Sequence, residues 1–168
     1  ENYGIKLMSV GFMLDEETIP GICTQLSKYA YSGKSLYKHV FACAHPIGHL
    51  LLVQTEGDVA KAANVCSKLS QELQHDCYTG VFMEDQERIN LSLHGIAQPL
   101  PLDEDHALLQ EKICHDYSGL AATTCWKTMS ILYVKIFKGN YDKVYEYCNH
   151  AKLLENREEC TIEGAGNL

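Results

Sequence analysis

The chain has 168 residues, 46% of them apolar and 21% charged, which suits one domain or a short array of repeats and excludes an intrinsically disordered protein. Its 14 Lys and Arg against 22 Asp and Glu give a formal net charge of −8, and no stretch concentrates the positive charge that a nucleic-acid surface requires. The richest apolar stretch, HVFACAHPIGHLLLV at 39–53, carries three histidines and a proline, which excludes a membrane span.

In chain order, residues 1–19 read as an irregular N-terminal segment, with IKLMSVGFML either extended or a loose helix. The chain opens on Glu1 rather than Met, which points to a fragment or a processed form. DVAKAANVCSKLSQEL at 58–73 predicts a helix capped by Asp58, with Val59, Ala62, Ala63, Cys66 and Leu69 on one stripe. CYTGVFMEDQE at 77–87 reads as a half-buried helix. HGIAQPLPLDED at 94–105 holds two prolines and reads as an inserted linker. HALLQEKICHDY at 106–117 follows the acidic cap LDED and predicts a helix. CWKTMSILYVKIF at 125–137 is apolar nearly all round, so a buried helix is expected there. NYDKVYEYCNHAKLL at 140–154 starts on Asn140, a good N-cap.

Eight cysteines are present. An even and regularly spaced set favours disulfides and an oxidising compartment, secreted or periplasmic, over metal-bound or merely buried thiols. Cys43 precedes Gly57 as Cys125 precedes Gly139, and Gly57 precedes Cys66 as Gly139 precedes Cys148. The steps from Cys43 to Cys77, Cys114 to Cys148 and Cys125 to Cys160 repeat at about 34 residues, the period of helix–turn–helix solenoids. A lone hairpin cannot bury its apolar stripe, so such hairpins stack and share a core.

CWKTMSILYVKIFKGNYDKVYEYCNHAKLL resembles a tetratricopeptide-type repeat, with Gly139-Asn140-Tyr141 at the turn and Val144 and Ala151 at the packing positions of its second helix. CAHPIGHLLLVQTEGDVAKAANVCSKL is similar, with Gly57-Asp58 at the turn and Ala62 packing. The usual closing proline is missing, Leu132 stands where a small residue is normal, and Pro46 interrupts a first helix. The resemblance is to the cysteine-rich branch of that superfamily. It implies an all-α fold, a short solenoid of antiparallel hairpins stapled by disulfides, as a single domain over 1–168. It also implies a concave face lined by first helices, which makes His45, His49, Phe82, Glu84 and Trp126 candidate binding residues for a protein or peptide partner.

Two pairing schemes compete. Consecutive pairing joins Cys23–Cys43, Cys66–Cys77, Cys114–Cys125 and Cys148–Cys160. Pairing within hairpins joins Cys43–Cys66, Cys77–Cys114 and Cys125–Cys148, leaving Cys23 and Cys160 over. The first uses every cysteine and is preferred. It requires a helix break between 66 and 77, since a continuous helix would hold those residues about 16 Å apart.

The leading functional expectation is an interaction module with no cofactor. The alternative is a metal-binding or hydrolytic site. In CAHPIGHLL at 43–51, His45 and His49 stand one helical turn apart and face the same way, which can chelate a zinc-like ion if a third ligand such as Cys43 or Glu84 joins. No Glu follows His45, so the zinc-protease motif fails. Cys114, His115 and Asp116 are adjacent and point apart on a helix, so they make no triad. Tyr141, Tyr145 and Tyr147 with Trp126 form either an aromatic face or interhelical filling. Asn90-Leu91-Ser92 fits the N-glycosylation pattern.

Overall fold

The computed structural model describes residues 13–29 and 36–167, with side chains for 13–25 and 43–167. Among them are nine helices and no strand. The chain divides into two compact units, Glu1–Pro99 and Leu100–Leu168. The division falls inside the proline-containing linker 94–105, which has too few apolar side chains to form a core of its own. Of the irregular segment expected over 1–19, residues 1–12 lie outside the described residues. Residues 13–17 are non-helical, and helix begins at Thr18.

The first unit holds α1 (Thr18–Tyr29), α2 (Leu36–Gln54), α3 (Val59–Ser67), α4 (Gln71–Glu87) and α5 (Ile89–Leu93). Asp15 starts α1: its Oδ1 accepts from the Thr18 and Glu17 amides at 2.8 and 3.0 Å. Just before it, the Gln54 amide side chain closes a reciprocal pair with the Leu14 backbone. Pro46 lies within α2 without ending it. α2 ends where Glu56 and Gly57 take positive φ, and the Gly57 N–H closes on Leu52 O at 2.9 Å, a left-handed cap that glycine accepts without strain. Asp58 then caps α3, accepting from the Lys61 amide at 3.0 Å.

α3 stops at Ser67, short of the helix expected to run to 73, and α4 starts after Ser70. That break brings Cys66 and Cys77 to a Cα separation of 5.6 Å, which no unbroken helix allows. Cys23–Cys43 ties α1 to α2. α2 and α4 are the most extensively packed pair in the unit, and they meet at two glycines. A Cβ on Gly48 would run into the Cys77 carbonyl, and one on Gly80 into the His45 carbonyl. Only hydrogen at both positions lets the two backbones touch.

The second unit holds α6 (Glu104–His115), α7 (Gly119–Ile136), α8 (Tyr141–Cys148) and α9 (Leu154–Gly166). Asp103 caps α6, accepting from the His106 amide at 2.9 Å. Glu104 and Asp105 fill its first turn and Lys112 and His115 its last, as the helix dipole favours. α7 is the buried helix that its composition predicts. Trp126, Met129, Leu132 and Tyr133 along it are at most 2% exposed. It ends as α2 does, with Lys138 and Gly139 at positive φ and the Gly139 N–H on Val134 O at 3.0 Å. Asn140 caps α8. α8 ends at Cys148, six residues before the expected end, and the chain turns over Asn149–Leu153 into α9.

All eight cysteines are consecutively paired, in Cys23–Cys43, Cys66–Cys77, Cys114–Cys125 and Cys148–Cys160. Each bond joins neighbouring helices of one unit. No helix among the described residues is long and apolar enough to cross a membrane.

Candidate functional site

The glycine contact between α2 and α4 sets up a polar cluster in the first unit. His49 follows Gly48 directly, His45 lies one turn earlier on α2, and Glu84 lies one turn beyond Gly80 on α4. With the backbones touching, His49 reaches across: its Nδ1 donates to Glu84 Oε2 at 2.9 Å. Its Nε2 meets His45 Nε2 at 3.1 Å. The two rings are edge to face, with centroids 4.8 Å apart.

Glu84 is 1% exposed, so its charge must be met from within. Arg88 takes φ 51° and ψ 31° after α4, a left-handed conformation uncommon for a residue with a side chain. This turns α5 back toward α4. The Leu91 amide then donates to Glu84 Oε1 at 2.9 Å, and Asn90 Nδ2 donates to Oε2 at 2.6 Å. Burial opposes ionisation of Glu84, but the hydrogen bonds from His49, Leu91 and Asn90 outweigh it and hold the carboxyl below its ordinary value. Asn90, which matches a glycosylation pattern in sequence, is therefore committed to the Glu84 network.

The two imidazoles differ in setting. Burial first, then neighbouring His49, lowers His45 to about 4, against a smaller opposing pull from Asp76. His45 is thus neutral at physiological pH. His49 keeps 21% of its side-chain exposure while Glu84 keeps 1%, so the cluster has a closed carboxylate end and an end that solvent reaches. Chemically this is a carboxylate–imidazole–imidazole chain. Glu84 fixes the His49 tautomer and leaves His49 Nε2 free of its carboxylate, 3.1 Å from His45 Nε2.

Several expected site residues are corrected by this arrangement. Cys43 cannot be a metal ligand, because its sulfur is bonded to Cys23. Glu84 is an orienting partner of His49 through Nδ1. Among the described residues no group of three or more His, Cys, Asp or Glu side chains is placed to hold a metal ion. Phe82 and Trp126 are each 1% exposed, packed into separate cores rather than presented to a partner. Trp126 lies edge to face against His115, centroids 5.2 Å apart. Of the tyrosines on α8, Tyr147 is 7% exposed, while Tyr141 and Tyr145 are 39% and 51% exposed and stacked on each other. Cys114 is disulfide-bonded to Cys125, so the Cys114–His115–Asp116 run holds no nucleophilic thiol.

The second unit has a cluster that sequence reading missed. His150 Nδ1 lies 3.0 Å from both oxygens of Glu111, and the Tyr133 hydroxyl donates to Glu111 Oε1 at 3.0 Å. Burial, then the Glu111 charge, holds the Tyr133 phenol well above its ordinary value. These residues sit on three separate segments with no shared spacing, so nothing in the sequence links them.

Among the residues whose side chains are described, the exposed large apolar ones are unevenly divided: Met13, Ile89 and Leu93 lie in the first unit, and the others, including Leu108, Leu109, Tyr145, Leu154 and Ile162, lie in the second. On α9, Leu154 and Ile162 share the exposed face with Glu155, Glu158 and Glu159. Comparison with protein families, curated proteins and solved structures finds no match to this chain.

Proposed function

We propose that this chain is a disulfide-held binding module of an oxidising compartment, secreted or periplasmic, that recognises a protein or peptide segment through its second unit. The observation that carries the reading is the set of exposed apolar side chains in residues 100–168, denser there than among the described side chains of the first unit. Exposed apolar side chains grouped among polar ones mark interaction sites, and here Tyr141 stacks on Tyr145 while Leu154 and Ile162 share one face of α9. The rim on α9 is acidic, with Glu155, Glu158 and Glu159 beside Leu154 and Ile162, while on α8 Asp142 flanks Tyr141 and Tyr145 and Glu146 is paired with Lys143. A complementary partner segment carries apolar and basic residues together. Tyrosine is enriched at such surfaces because its ring gives large contact area at little entropic cost.

The hairpin-repeat reading belongs to the same proposal. Its support is that α2–α3 and α7–α8 use one device: a left-handed residue followed by Gly57 or Gly139, then Asp58 or Asn140 as N-cap. The compartment rests on four disulfides that leave no free thiol among the described residues.

Selection from a displayed random-peptide library tests the binding reading. The expected result is enrichment of basic, apolar peptides whose affinity falls at least tenfold for the double variant Tyr145→Ser with Ile162→Ser. Both residues are exposed, so melting temperature stays nearly unchanged. Failure to enrich any sequence, or equal enrichment on the double variant, overturns the reading. Eight titratable sulfhydryls in protein isolated from its source without reductant would remove the oxidising compartment.

A further inference from the structure

We propose that His45 Nε2 and His49 Nε2 together bind one divalent late-transition-metal ion, copper(II), zinc(II) or nickel(II), at adjacent coordination positions, with Glu84 as the positioning residue behind His49. This site lies in the first unit and is independent of the peptide-binding reading.

Three observations converge on it. The first is the spacing. With metal–nitrogen bonds of about 2.0–2.1 Å, nitrogens 3.1 Å apart subtend roughly 98° at a shared ion. That lies between the right angle of a square plane and the wider angle of a tetrahedron, the geometries these ions prefer. The second is the orientation of His49. A metal-ligating imidazole typically donates its other N–H to a carboxylate, which fixes the tautomer and raises ligand basicity. Glu84 does this at 2.9 Å and is itself held by Asn90 and Leu91. The third is rigidity. Both histidines lie on α2, and Gly48 and Gly80 lock that helix against the one that carries Glu84. A preformed site loses little entropy on binding.

Without an ion the same two nitrogens share a proton, which His45 donates to the His49 lone pair. Metal binding needs both Nε2 lone pairs, so that proton moves off Nε2 to His45 Nδ1. No third His, Cys, Asp or Glu among the described residues joins the pair. The remaining positions therefore fall to water or to a small exogenous ligand arriving from the exposed side of His49. With every cysteine oxidised, no protein thiolate competes for the ion.

Copper(II) and zinc(II) added to the metal-free protein test this, by calorimetry and by electron paramagnetic resonance of the copper form. The expected result is one ion per chain, a copper spectrum showing two imidazole nitrogens, and loss of that ion in both His45→Ala and His49→Ala. Glu84→Gln retains the stoichiometry and weakens affinity about 10- to 100-fold, as loss of an outer-shell carboxylate does. Absence of binding overturns the proposal, and so does a stoichiometric ion that survives in either alanine variant. Should an alanine variant misfold, the wild-type copper spectrum decides alone: two nitrogens support the site, and a single nitrogen or oxygen-only coordination overturns it.

Discussion

The two units are held by similar means and present different chemistry. Each has a disulfide between its first two long helices, a second between a short helix and the next, and a glycine turn between. In the first unit the helices are pressed together until backbones touch, and the inward polar side chains form a relay from Glu84 to His45. In the second unit Trp126, Tyr133 and Tyr147 fill the core, Tyr133 and His150 meet at Glu111, and more of the described apolar side chains face outward. Similar covalent stapling thus coexists with different packing between the helices.

The largest expected effect comes from the glycine contact. Gly80→Ala places a methyl group on the His45 carbonyl, a backbone atom that cannot step aside, and should cost more than about 3 kcal/mol. Gly164→Ala in the second unit meets Val144 Cγ1 instead, a side-chain atom that can shift, and should cost about 1 kcal/mol. Chemical denaturation of both variants measures the gap, and equal losses would erase the contrast between the units.

Next come the staples. Replacing Cys66 with Cys77, or Cys148 with Cys160, by serine pairs opens loops with sequence separations of 11 and 12. Chain entropy gives about 3 kcal/mol for each. Near-equal destabilisation is expected, and a large inequality would show that one bond does more than restrict the unfolded chain.

A pH series separates the units further. His45 is lowered from 6.5 to about 4 by burial, so the unfolded chain takes up its proton first as pH falls. Stability from neutral His45 is complete above pH 6.5 and is lost progressively toward pH 4. The loss is on the order of 1–2 kcal/mol after allowance for partial solvent screening. Glu84, lowered from 4.5, adds stability above its unfolded value that disappears as pH falls through its lower folded value. His45→Asn should flatten the melting profile between pH 6.5 and 4. An unchanged profile would place the acid response elsewhere.

Smaller again is Tyr133→Phe, which removes one hydrogen bond to Glu111 and should cost about 1 kcal/mol, read by denaturation. The smallest effect is expected from Leu93→Ser, an exposed position of the first unit, which should change stability by less than about 0.5 kcal/mol and leave peptide binding untouched. A binding loss there would extend the interaction surface into the first unit.

Much of the local structure was legible in the residues. Asp58, Asp103 and Asn140 announced helix starts because a short polar side chain can accept from the amides of the first turn. Gly57 and Gly139 marked the turns, which the structure closes as left-handed caps, although the preceding Glu56 and Lys138, also at positive φ, gave no sign of it. The cluster was half legible. His45 and His49 share a helical face by their spacing alone, whereas Glu84, far along the chain, could be named but not given its role. The surface assignment of Phe82 and Trp126 failed because aromatic residues read the same in sequence whether they fill a core or face a partner.

Sequence by itself therefore determined the all-helical class, the capping signals and the supply of cysteines, since these depend on backbone propensity, side chains a few residues apart and composition. Tertiary structure decided which cysteines bond, where the chain divides, and that Glu84 backs His49 while His150 meets Glu111. Those outcomes depend on how closely two helices approach, and that distance is set by packing volumes summed across elements far apart in the chain.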